Sequence, residues 1–140
     1  MADTGYSGTP LPKKLGLTAG QRIAVLNAPR DYRELVAPWP DGVLLLARAD
    51  AKTDLVHLFV TDRAVLAKEA NRLRERLKPD AVLWISWPKK AAKLLTDITE
   101  DVIREVVLPL GWVDVKVCAV DAIWSGLKLV VRKELRQRAG

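Results

Sequence analysis

Two lysines follow a Trp-Pro pair in Ser86-Trp87-Pro88-Lys89-Lys90, and a tryptophan and a serine close the segment that starts at Asp121 and runs through Trp124 and Ser125. The ammonium groups of Lys89 and Lys90 suit a phosphate or a carboxylate. The indoles of Trp87 and Trp124 suit flat apolar walls, and Asn27, Asp121 and Ser125 suit hydrogen bonds to a polar group. These seven residues form a candidate edge for a small anionic ligand or a protein partner. Two exposed indoles on one edge would equally suit half of a homodimer interface. An anion here would depend on the two lysines. Asp31, Asp62 and Asp97 stand near the starts of three expected helices, where carboxylates cap the free N–H groups and repel anions.

Other reactive side chains point to structure rather than catalysis. His57 is the only histidine. It lies mid-strand with Leu55 and Phe59 on its own face, which predicts an interior imidazole and no Ser-His-Asp arrangement. The single cysteine, Cys118, sits in an apolar run and predicts a small core residue, no internal disulfide and no metal centre. Asp97, Glu100 and Asp101 cluster at a helix start, where capping and dipole compensation explain them. Asp97 with Glu100 reads as a variant capping box. No catalytic residue, cofactor or metal is expected from these patterns.

The elements that must position the edge follow from periodicity and breakers. Residues 1–12 are small, polar and punctuated by glycine and proline, and predict a flexible arm, with a docking turn from Leu11 to Gly16. Residues 13–135 predict a single α/β domain and 136–140 a tail, with the charged stretch Arg132–Arg138 expected to fray. Apolar runs at Ile23–Leu26, Val43–Leu46, Asp54–Val60 and Ala81–Trp87 predict strands. Helices are expected at Asp31–Val36, at Thr61–Lys78 and at Ile98–Leu108, the last with Val102, Ile103, Val106 and Val107 as its buried stripe. Val113–Val120 and Leu127–Val131 predict a closing hairpin. The first four strands are continuously apolar, so both of their faces should be covered. That favours a small three-layer Rossmann-like sheet, mostly parallel with an antiparallel C-terminal strand, over a ferredoxin-like sandwich. In such a sheet ligands gather at the carboxyl ends of the strands, where the candidate edge falls.

Composition bounds the partners. A net charge of +6 raises the prospect of a polyanion. The basic residues of the long helix, however, alternate with Asp62, Glu69 and Glu75, as on an ordinary solvated face. Lys13 and Lys14 could touch RNA, but no aromatic RNA-binding motif accompanies them. No apolar run approaches the roughly 20 residues that span a bilayer, and the first residues lack a signal pattern, so a cytoplasmic protein is expected.

Two resemblances are carried by particular residues. Asp54–Val60, the helix Thr61–Lys78, the segment Leu77–Trp84 and the closing helix and hairpin resemble the C-terminal half of S-adenosylmethionine-dependent methyltransferases. That family carries a glycine-rich turn after its first strand. Here Leu26-Asn27-Ala28-Pro29 stands in its place, and the second strand runs into Ala47-Arg48 rather than an acidic residue. The segments Thr9–Gly16, Leu26–Pro29, Leu83–Lys90, Asp97–Val102, Val113–Asp121 and Trp124–Leu127 resemble a family of short bacterial proteins classed as a domain of unknown function. This second resemblance implies a single bacterial domain and no particular activity. The leading expectation is therefore a non-enzymatic α/β module that binds at the candidate edge. A reduced methyltransferase-like enzyme using a nucleotide cofactor and a basic nucleic-acid-associated protein are the alternatives.

Overall fold

The central apolar runs become strands covered on both sides, whereas the strand Leu44–Leu46 at the sheet edge stays partly exposed, with Leu44 at 50%. A computed structural model describes residues 9–137. In it, β1 (Arg22–Leu26), β2 (Leu44–Leu46), β3 (Leu55–Phe59), β4 (Val82–Pro88), β5 (Trp112–Ala119) and β6 (Trp124–Val131) form one sheet in the order β2-β1-β3-β4-β6-β5. β1 to β4 are mutually parallel, and β6 lies antiparallel between β4 and β5. The final strand is thus the antiparallel one, as expected, but it is inserted inside the sheet rather than added at its edge.

Helices α1 (Leu11–Leu15) and α2 (Tyr32–Val36) cover one face, and α3 (Arg63–Arg76) and α4 (Glu100–Val107) cover the other. Strand alternation divides the side chains between the two layers. Ala24, Val56, Leu58, Leu83, Ile85, Trp87, Leu127 and Leu129 pack under α3 and α4. Ile23, Leu55, Phe59 and Trp84 pack under α1 and α2. Trp84 is fully buried, and its indole N–H donates to the Leu15 carbonyl at 3.0 Å.

The docking turn expected from Leu11 to Gly16 forms as α1, which buries Leu11, Pro12 and Leu15 and closes on Gly16. Leu11 and Pro12 thus belong to the domain rather than the arm, and the arm up to residue 8 lies outside the described residues. Residues Lys133–Gln137 form a short helix, α5, where fraying was expected. Leu135 holds α5 down by packing on the α3/α4 core. Among the described residues no helix is long and apolar enough to cross a membrane.

The α3 start is capped as its sequence implies, with the Asp62 carboxylate accepting from the amides of Ala64 at 2.7 Å and Val65 at 3.2 Å. The capping box expected from Asp97 and Glu100 does not form. α4 begins at Glu100, which puts Asp97 too early for the cap position. Thr99 takes that position and accepts from the Val102 amide at 3.1 Å. Within the expected stripe Ile103 and Val107 are fully buried, and Val102 and Val106 are half-buried.

A buried polar chain ties α2 to the sheet. The Tyr32 hydroxyl lies 2.8 Å from His57 Nδ1, and His57 Nε2 lies 2.8 Å from Ser86 Oγ. His57 and Ser86 are wholly inaccessible to solvent. Burial pushes the His57 pKa down from 6.5 to about 3, so the imidazole is neutral in the fold. The unfolded chain therefore binds a proton on this residue below about pH 6.5 that the native state refuses until about pH 3. Stability from this source is complete above that window and is lost as the pH falls through it. Unfolding by urea at a series of pH values should show stability falling from pH 6.5 towards 4.5 with a slope approaching ~1.4 kcal/mol per unit. Only the lowest part of that range overlaps the carboxylate titrations. His57→Gln should flatten the slope there.

Candidate ligand site at the carboxyl edge

β4 ends in Trp87 and Pro88, and the antiparallel register of β6 sets Ser125 opposite Trp87 and Trp124 opposite Pro88. The Lys89 amide extends the ladder by donating to the Ile123 carbonyl at 2.8 Å. The two segments singled out in the sequence are therefore neighbours. Beyond Lys89 a 3-10 turn, Lys90–Ala92, and Lys93 in the left-handed region at φ 57° turn the chain back towards α4. The returning segment is fastened to the α3 start. Thr96 donates its hydroxyl to the Thr61 carbonyl at 2.7 Å, and the Asp97 carboxylate accepts from the Arg63 amide at 2.7 Å.

Between these segments lies a cavity of about 550 Å³, within the size range of small-molecule sites. Trp87, Lys89, Lys90, Thr96, Thr99 and Ser125 are among its lining residues. Trp87 is buried and serves as the floor, while Leu94 and Leu95 at the turn are exposed. Glu100 also lines the cavity, but its charge is compensated. It forms an ion pair with Arg104, whose guanidinium also reaches Asp101 and Asp114, each at 3.1 Å. Glu100 first, and then Asp114, hold the guanidinium pKa above its ordinary value. Lys89 and Lys90 are left as the lining charges not engaged in an ion pair among the described residues.

Four of the seven candidate residues meet here: Trp87, Lys89, Lys90 and Ser125. The other three do not line this cavity. Asp121 shapes the turn, its Oδ1 accepting from the amides of Ile123 at 2.8 Å and Trp124 at 2.7 Å. Trp124 belongs to β6 rather than to the turn, so it faces away from Ser125. Its ring stands edge-on to Phe59 at 5.0 Å, under α2. Asn27 ends β1 with φ 60°, a left-handed conformation of the kind glycine adopts most freely. Thr96 and Thr99 were not singled out from sequence, although threonines flanking a helix start are themselves a capping signal.

Ser86 and His57 sit at the spacing of a nucleophile and its base, but both are sealed inside the sheet and meet no substrate. Cys118 is half-buried rather than fully buried, and burial pushes its thiol pKa up. Among the described residues no group of His, Cys, Asp and Glu side chains is placed to hold a metal ion.

No protein-family model and no curated protein matches the chain. Solved structures do. A methyltransferase dependent on S-adenosylmethionine from Aquifex aeolicus superposes with a TM-score of 0.60 at 16% identity, over 86% of this chain and 87% of that one. The B. subtilis m1A22 tRNA methyltransferase TrmK gives 0.59 at 9% identity, over 92% of this chain and 68% of that one. The Methanococcus jannaschii fibrillarin pre-rRNA processing protein gives 0.51 at 12% identity, over 88% and 69%. The fold is that of the S-adenosylmethionine-dependent methyltransferases.

A methyltransferase fold implies a cofactor, and the residues at this edge do not fit one. Pro29 has no amide N–H to offer a ligand, and its carbonyl is taken by the Tyr32 amide at 3.1 Å. The Tyr32 ring packs against Trp39, His57 and Phe59 at centroid distances of 5.9, 5.4 and 5.7 Å. These rings, with Trp124, fill the face above the ends of β1 and β3. The first acid after β2, Asp50, already accepts from the Lys52 amide at 2.8 Å and the Thr53 hydroxyl at 3.3 Å.

The loop that walls the cavity should depend on its cap and its cross-link. Thr99→Ala and Asp97→Ala should each lower stability by about 1 kcal/mol in urea unfolding, because each strands a helix-start amide.

Proposed function

We propose that the chain is a binding module on a methyltransferase fold, taking a small anionic ligand in the cavity beside Trp87 and transferring no methyl group. The observation that carries this reading is the pairing of Lys89 and Lys90 with a buried indole floor in one cavity, while a proline follows β1 where a cofactor-binding turn would need a backbone amide. In this role the two ammonium groups meet a phosphate or carboxylate as mobile point charges. Trp87 and Leu94 receive the apolar body of the ligand. Thr99 and Ser125 supply hydroxyl groups that orient it. The resemblance to short bacterial proteins of unknown function accords with a one-domain module of this kind.

A second reading is a reduced methyltransferase-like enzyme with a nucleotide cofactor. It is favoured by structural likeness, which extends over 86% of the chain for the Aquifex aeolicus protein. The proline-containing turn after β1 weighs against it.

The test of the first reading uses phenyl phosphate, which joins an anion to a flat apolar ring. Titration into the isotopically labelled protein should shift the Trp87 indole and Ser125 amide resonances. The Lys89→Ala/Lys90→Ala variant, which alters only lining side chains of the loop, should need at least about tenfold more ligand, a loss of about 1.4 kcal/mol. Equal titration of both proteins, or equal binding of uncharged phenol, would remove the assignment.

A further inference from the structure

The loop that walls the Trp87 cavity carries a separate feature in its outer residues. In Lys89-Lys90-Ala91-Ala92-Lys93-Leu94-Leu95 three lysines lead into two leucines, and no acid falls between Lys89 and Thr96. Lys90 and Lys93 are exposed. Leu94 is 47% exposed and Leu95 is 97% exposed, more than any other large hydrophobic side chain among the described residues. A single exposed leucine is ordinary, but two in succession behind three lysines form a pattern. Held in water, they gain free energy only when something apolar covers them.

The leucines are presented on an anchored turn. The Lys89–Ile123 bond ties the chain before it, and the Thr96–Thr61 and Asp97–Arg63 bonds tie it afterwards. Lys93 reverses the chain at φ 57°, a conformation that glycine takes more freely. The nearest acids along the chain are engaged elsewhere. Asp97 accepts from the Arg63 amide, and Glu100 pairs with Arg104. Lys90 and Lys93 meet no ion-pair partner among the described residues.

Lysine beside exposed leucine narrows the partner. Protein interfaces are poor in lysine, and leucine seldom supplies their anchors. A nucleic acid would engage the lysines but leave the leucines without a role. It would also call for aromatic rings on which bases stack, and residues 89–95 carry none, while Trp87 is buried. An anionic bilayer suits both side-chain types. The leucines enter the boundary of the acyl chains, and the lysine stems follow them while their ammonium groups stay among the headgroups.

We propose that the loop from Lys90 to Leu95 docks the protein on the surface of an anionic membrane, without spanning it. Lys93 and Leu95 do not line the Trp87 cavity, so the docking surface is tested apart from the ligand proposed there. The contact is one of charge and apolar burial alone, with no covalent step.

The experiment sediments the full chain with vesicles of phosphatidylcholine, alone or mixed with an equal part of phosphatidylglycerol. The protein should partition onto the anionic vesicles and not onto the neutral ones, and added salt should weaken the binding. Leu95→Ser should weaken it about tenfold and Lys93→Gln about fivefold. Leu95→Trp should keep it, because an indole suits the interface. Both positions are exposed, so the variants should melt with the wild type. Four results would overturn the proposal: no binding to anionic vesicles, equal binding to neutral ones, binding undiminished in Leu95→Ser, or retention on a single-stranded oligonucleotide in place of vesicles. The last would mark a nucleic-acid surface. A dimer dissociated by Leu95→Ser, in a chain that ignores vesicles, would equally overturn it and mark an interface between copies.

Discussion

The hydrogen-bonded chain Tyr32–His57–Ser86 fixes the layer on which the site depends. A neutral hydrogen bond contributes about 1 kcal/mol net, but a buried polar group left without its partner costs about 1–3 kcal/mol. With His57 inside the sheet, its Nδ1 finds a partner only while α2 holds the Tyr32 hydroxyl down. Docking α2 sets the Tyr32 ring against Phe59, and Phe59 against Trp124. A short helix with little surface of its own is thereby locked across the carboxyl ends of β1 and β3. In sheets of this topology that is where a nucleotide would be expected to lie.

The proposed site lies at another part of the carboxyl edge. β6 enters the sheet antiparallel between β4 and β5, which brings Ser125 beside Trp87 and the Ile123 carbonyl to the Lys89 amide. The loop after β4 is then pinned at its far end by the Thr96–Thr61 and Asp97–Arg63 bonds. The result is a cavity with a rigid floor, two lysines on its wall and an acid already neutralised by Arg104. The scaffold is shared with methyltransferases, and the proposal departs from them only at its edge. That division accords with the general independence of site from fold.

Much of the architecture was legible in the sequence. Four continuous apolar runs required a sheet covered on both faces, and the hairpin signal supplied its antiparallel member. The alternation that set Trp84 and Trp87 on opposite faces was equally local. What was not legible depended on boundaries or on partners distant in the chain. Placing Trp124 in the turn gave it the wrong face, because one residue of strand reverses a side chain. Asp97 and Thr99 both satisfy the local capping rule, and only the true start of α4 decides between them. Leu11 and Leu15 have helical spacing, but a five-residue helix gains too little by itself to be predicted, and its burial under the sheet is what makes it form. The partners of His57 come from 25 and 29 residues away in sequence, through α2 and the β3–β4 register.

The central claim is that this methyltransferase fold, with Pro29 after β1 and α2 fastened by Tyr32 to the buried His57, holds no S-adenosylmethionine. Isothermal titration of the full chain with S-adenosylmethionine tests it most directly. The account requires no saturable heat of binding, because the turn after β1 offers no proline amide to a cofactor. A stoichiometric isotherm with a micromolar dissociation constant, lost on changing Asn27 or Tyr32, would contradict it.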